Sequence, residues 1–163
     1  MEPGLWNKLF HRRLFFELLQ KQTMDCRIKY NEDLLMNYYL FKECTRVIYE
    51  DWCPYHYLVR NNSATSSSIS VQKLTDPIKV LMYIENDSLE NTEVQYVVLK
   101  RLAYQLVKVS SIDFRCCEEF VNVQKRARKM LRKRILSILE NPVCDKKDKN
   151  GSENVRNGDK NGT

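Results

Sequence analysis

Apolar residues recur along this chain at helical spacing, with no sustained alternation of period two. Leu5, Leu9, Phe16 and Leu19, with Phe10 and Leu14 beside them, predict a first helix from about Pro3 to Gln22. A second is expected over "EDLLMNYYLFKECTRVIYEDW", capped by Asn31, opened by Glu32 and Asp33, and stopped before Pro54. Tyr38, Phe41, Tyr49 and Trp52 give it an aromatic stripe.

The polar stretch "NNSATSSSISVQ", residues 61–72, predicts a flexible loop. Asp76–Pro77 has the form of an N-cap followed by a first helical residue, so a third helix is expected over about 77–85. Asn91 should cap a fourth, "TEVQYVVLKRLAYQLVKV", apolar on most of its circumference. Its polar face is narrow (Lys100, Arg101, Gln105, Lys108), so it is expected to be the most buried element. Ser110 and Asp113 have capping-box spacing for a fifth helix, from about Ile112 to Glu140, ended by Asn141–Pro142. At about 1.5 Å per residue this helix exceeds a small core, and its far half should project.

Between Gly4 and Gly151 there is no glycine, and the four prolines fall near expected element ends. The fold class expected is therefore all-α: about five helices in a compact bundle or a short helical-repeat-like array. The domain should span 1–141, with a disordered polar tail over 142–163, which holds almost no large apolar residue. The third and fourth helices resemble one hairpin of a HEAT or armadillo array.

The missing glycines also exclude phosphate-cradling glycine loops and a nucleophile elbow between Gly4 and Gly151. Cys53 and His56 have the residue types of a nucleophilic pair, and with Cys116 and Cys117 they could supply four zinc ligands. Adjacent cysteines seldom both reach one metal, so an aromatic loop is the reading preferred for 51–59. Cys26, Cys44 and Cys117 are read as small core residues. The paired carboxylates, such as Glu32–Asp33 and Glu118–Glu119, are read as caps or solvated faces. We therefore expect no enzyme activity, cofactor, metal or small-molecule substrate. No apolar run is long enough for a membrane span, and the N-terminal residues lack the apolar core of a secretory signal. The expected location is intracellular, in nucleus or cytoplasm, with cysteines reduced and the sequons at Asn61, Asn86, Asn150 and Asn161 without meaning.

Charge adds one sharp feature. The chain carries 27 basic and 21 acidic residues, but seven of the basic ones lie in residues 125–134. Without that segment the balance is 20 against 21, so the basicity is local. The candidate binding residues are Lys125, Arg126, Arg128, Lys129, Arg132, Lys133 and Arg134. The apolar stripe of the same helix comprises Phe114, Cys117, Val121, Ala127, Leu131, Ile135 and Ile138, broadened by Phe120, Val123, Met130 and Leu136.

The plainest reading is a packed helix with cations snorkelling from its outer face. Others compete with it. Residues 123–136 resemble the calmodulin-binding IQ pattern. Val123–Gln124 stand for its leading pair, Arg128 for its central arginine, Lys133 for its second basic position and Leu136 for its last apolar one; the pattern's glycine is Lys129 here. That resemblance implies a calmodulin-type target helix, with Val123, Met130 and Leu136 as apolar anchors. A nuclear-import signal, a contact to nucleic-acid backbone phosphate and an anionic membrane surface are further uses of such a segment. No aromatics interleave the cations, so base stacking is not suggested. The function expected is a protein–protein interaction or scaffold subunit of a larger assembly, with a nucleic-acid-associated factor as the alternative.

Overall fold

The computed structural model describes residues 4–21, 24–51, 55–56, 69–112 and 118–143. They form five α-helices, with no strand among the described residues: α1 Arg12–Lys21, α2 Glu32–Glu43, α3 Val71–Asp87, α4 Thr92–Ser111 and α5 Glu118–Leu139. The all-α expectation holds. Contacts group the chain into two units, residues 1–80 and 81–163, a division that falls inside α3. All of the expected tail beyond Val143, most of the Ser-rich loop and Asp113 lie outside the described residues.

In the first unit α1 and α2 pack together, burying Leu18, Leu34, Leu35 and Leu40. Phe10 meets the edges of Phe15 and Phe41, with ring centroids 6.0 and 5.3 Å apart. Helix α1 begins at Arg12, later than expected. A turn (Lys8 N–H to Leu5 O, 3.1 Å) occupies the preceding residues, and the ammonium of Lys8 donates to the Gly4 carbonyl. Leu9, Phe16 and Leu19, expected inside, are exposed, and Leu18 takes the core position. Helix α2 stops at Glu43, where Cys44 turns extended. Beyond it come the β-branched Thr45, Val47 and Ile48, and none of residues 45–51 is buried, so no packing offsets their poorer helix propensity. Asn31 precedes α2 as expected but in the left-handed region (φ 65°), and it caps through its carbonyl to Leu34 N–H rather than through its side chain.

Helix α3 corrects the expected start at Pro77. Ser70 is the cap: its Oγ accepts from Lys73 N–H at 3.2 Å. Pro77 lies inside the helix. Asp76 cannot serve as a cap because its carboxylate is fully buried and committed elsewhere. It accepts from the Lys29 backbone N–H at 3.0 Å and pairs with Lys79 Nζ at 3.2 Å. Proline removes one helix hydrogen bond. That loss is borne by a helix which also buries Ile78, Val80, Leu81 and Ile84.

In the second unit α4 and α5 lie side by side and antiparallel. Gln124 of α5 reaches the end of α4, and Asn141 Nδ2 approaches Thr92 O at its start (3.4 Å). Asn91 caps α4 as expected, its Oδ1 accepting from Val94 N–H at 3.0 Å. The helix buries Tyr96, Val98, Leu99, Leu102, Leu106 and Val109, yet leaves Val97, Tyr104 and Val107 exposed. Its polar face is thus neither narrow nor purely polar, and α3 buries as many residues in a shorter span (Asp76, Ile78, Val80, Leu81, Ile84, Glu85). Ser110 belongs to the last turn of α4, where its hydroxyl donates to Val107 O, and does not open α5. The extensive partner of α4 is α5 rather than α3, which departs from the HEAT-type hairpin. Cys26 is exposed and Cys44 only partly covered, so neither is a core residue.

Candidate functional site

Helix α5 opens with Glu118 and Glu119, favourable beside the N-terminal end of the helix dipole. The residues four positions on are Asn122 and Val123, so these carboxylates find no i,i+4 cation. The basic run begins only at Lys125. Its inner face is small at Ala127, which is buried and lets the helix approach its neighbours closely.

The seven cations do not form one surface. Arg128 and Arg134 are held by the fold. The last carbonyls of a helix have no intrahelical partner, and α5 supplies donors to those of α4. Gln124 Nε2 donates to Ser110 O at 2.9 Å and to Ile112 O at 2.6 Å, and Arg128 Nη2 donates to Ser110 O at 3.2 Å. Arg134 Nη2 lies 2.8 Å from Glu85 Oε2, a carboxylate 8% exposed on α3. That oxygen makes no aligned hydrogen bond, so charge rather than hydrogen-bond direction holds the pair. Burial holds the Glu85 carboxyl above its ordinary value, and the Arg134 guanidinium offsets part of that rise.

Five cations remain: Lys125, Arg126, Lys129, Arg132 and Lys133. All are exposed, and their side chains make no ion pair or hydrogen bond among the described residues. At 3.6 residues per turn they fall within about 120° of arc and span roughly 12 Å of helix. Leu136 lies on the same arc, with Leu139 and Ile135 beside it, and all three are exposed. The outer face of α5 is therefore zoned from acidic to strongly basic to apolar. Ile135, placed by spacing in the packed stripe, is exposed, whereas Val121, Leu131 and Ile138 are half-buried.

The three expected anchors separate. Val123 and Met130 are half-buried on the inward side, and Leu136 sits about 120° away on the outer face. Gln124 and Arg128, which carry the IQ resemblance, are occupied at the end of α4. Sequence reasoning missed Gln124 as a structural residue. Its partners lie 12 and 14 positions away, and no local spacing points to them.

Among the described residues no group of three or more His, Cys, Asp or Glu side chains is placed to hold a metal. Cys53, Cys116 and Cys117 lie outside the described residues, and His56 is exposed. A cleft of about 330 Å³ in the first unit is lined in part by His11, Arg13, Glu43, Cys44 and Arg46. Two of its charges are already committed, Arg13 to Glu17 and Glu43 to Lys21. No described helix is long and apolar enough to cross a membrane. Compared with protein-family models, with curated proteins and with solved structures, the chain finds no match.

Proposed function

We propose that this chain is a non-enzymatic interaction subunit whose α5 docks an acidic, amphipathic segment of a protein partner. One observation carries the reading: five cations that make no ion pair among the described residues share an exposed helix face with Leu136 and, at its margin, Leu139. Phosphate backbone would use the charge alone. A protein partner with acidic residues beside an apolar patch would use both, the apolar zone holding the complex and the charge steering it. The fold supports this division of labour, because Arg128 and Arg134 brace the helix while the other five have no partner among the described residues.

The test uses the whole chain with two probes, a labelled acidic helical peptide bearing leucines at i, i+3 and i+7, and a short duplex DNA. Lys129→Glu with Lys133→Glu should weaken the peptide by at least about tenfold, and Leu136→Ala with Leu139→Ala by a comparable factor, with unfolding curves unchanged. Duplex binding that is tight, indifferent to the leucines and steep in salt, with a slope near −0.9 per phosphate contacted, would replace this reading with the nucleic-acid one. No binding of either probe would remove both.

A further inference from the structure

The segment after α2, in the first unit, offers a second surface. Residues 45–51, "TRVIYED", leave the helix at the extended Cys44. They make no backbone hydrogen bond among the described residues. Every one is exposed, including Val47, Ile48 and Tyr49 at 60, 71 and 84%. The composition is that of a strand, with β-branched and aromatic residues and no glycine or proline. Tyr49 Oη donates to Asp51 Oδ1 at 3.3 Å, an i,i+2 contact that fits extended chain, where alternate side chains share a face. Seven residues that make no backbone hydrogen bond among the described residues, with uncovered apolar side chains, form a template for another strand.

The sequence specifies which strand. It is charge-palindromic about Ile48: Arg46 precedes it by two positions and Glu50 follows by two. In an antiparallel pair centred on Ile48, Arg46 of one copy stands opposite Glu50 of the other, and the reverse holds by symmetry. Val47 then faces Tyr49 of the second copy, a β-branched–aromatic pair. Opposite charges and such apolar pairs are the favourable cross-strand partners. A slip of one residue in one direction sets Arg46 against Tyr49 and Glu50 against Thr45, and in the other it sets Val47 against Glu50, so the register centred on Ile48 is the one that matches both the charges and the apolar residues.

We infer that residues 46–50 pair antiparallel with the same residues of a second copy, making the chain an isologous dimer. A two-stranded ribbon alone is marginal. The same unit also leaves Leu9, Phe16 and Leu19 exposed, apolar area that a second copy can cover. The two-fold relation closes the assembly, since each copy's segment is used by the other.

Sedimentation equilibrium of the full chain under reducing conditions tests this, with Arg46→Glu, Glu50→Arg and the double exchange. All three substitutions are on exposed positions outside the helices, and far-ultraviolet circular dichroism checks the fold. The parent chain should associate to a dimer. Each single reversal sets two like-charged pairs across the axis and should raise the dissociation constant about tenfold or more; the double exchange should return it to within about threefold. A monomer at every concentration overturns the inference. So does a dimer indifferent to the reversals, or single reversals that the exchange fails to rescue. Assemblies that grow beyond the dimer exclude the closed pair and overturn it as well.

Discussion

Replacing Arg134 by leucine tests whether the last cation of the basic run belongs to the core. Glu85 is 8% exposed and Arg134 27%. Removing one member of a fully buried pair costs about 3–5 kcal/mol, because the other charge is left uncompensated. Here two things lower that figure: Arg134 keeps some water, and Glu85 can accept a proton. Protonation sets a ceiling. Starting from the ordinary value of 4.5, neutralising the carboxyl at pH 7 costs about 1.4 kcal/mol for each of roughly 2.5 pH units, or about 3.4 kcal/mol. The expected loss at pH 7 is about 1–3 kcal/mol.

The pH dependence gives the decisive signature. The folded-state pKa of Glu85 is raised, so between 4.5 and that raised value the native chain binds more protons than the unfolded one. Stability from this group is therefore fullest below 4.5 and falls as pH climbs through the raised value. Without Arg134 the rise is larger and the slope steeper, so Arg134→Leu should cost less at pH 5 than at pH 7. Glu85→Gln should abolish the slope and be neutral or stabilising by up to about 2 kcal/mol at pH 7. The double variant should return to within about 1 kcal/mol of the parent, since no buried charge remains. Urea unfolding followed by circular dichroism from pH 5 to 8 measures all four chains. A loss on Arg134→Leu that is the same at every pH would refute the reasoning, and would assign the role of Arg134 to the packing of its aliphatic stem.

Three further outcomes are expected. Asp76→Ala should cost about 1–3 kcal/mol by orphaning the Lys29 N–H, and hydrogen exchange at that amide should speed up, whereas Asp76→Asn keeps an acceptor and should lose less. Gln124→Ala should cost about 1 kcal/mol by uncapping the last carbonyls of α4, seen as earlier fraying of residues 107–111 in hydrogen exchange. On α4, Leu102→Ala should cost about 2–5 kcal/mol in chemical unfolding, while Val97→Ala on the exposed face stays within about 0.5 kcal/mol; equal losses would mean the helix is buried all round.

The helical class was legible in the sequence, through the absence of glycine between Gly4 and Gly151, the placing of the prolines near expected element ends and the helical recurrence of apolar residues. The sequence also located the Asn91 cap and the end of α5 near Asn141–Pro142, because caps and stops depend on residues within one turn. Tertiary structure decided the rest. Local chemistry reads Asp76–Pro77 as a helix start. The Lys29 N–H, 47 residues away, takes the carboxylate instead, and Ser70 becomes the cap. Propensity and aromatic spacing extend α2 to Trp52, but no core covers residues 45–51, and the helix ends where packing ends. The basic run is visible as composition. Which cations are spent and which stay free is settled by Ser110 and Glu85, 18 and 49 positions from their arginines. Local signals act over a few residues, whereas desolvation and ion pairing depend on which groups the fold brings within a few ångströms.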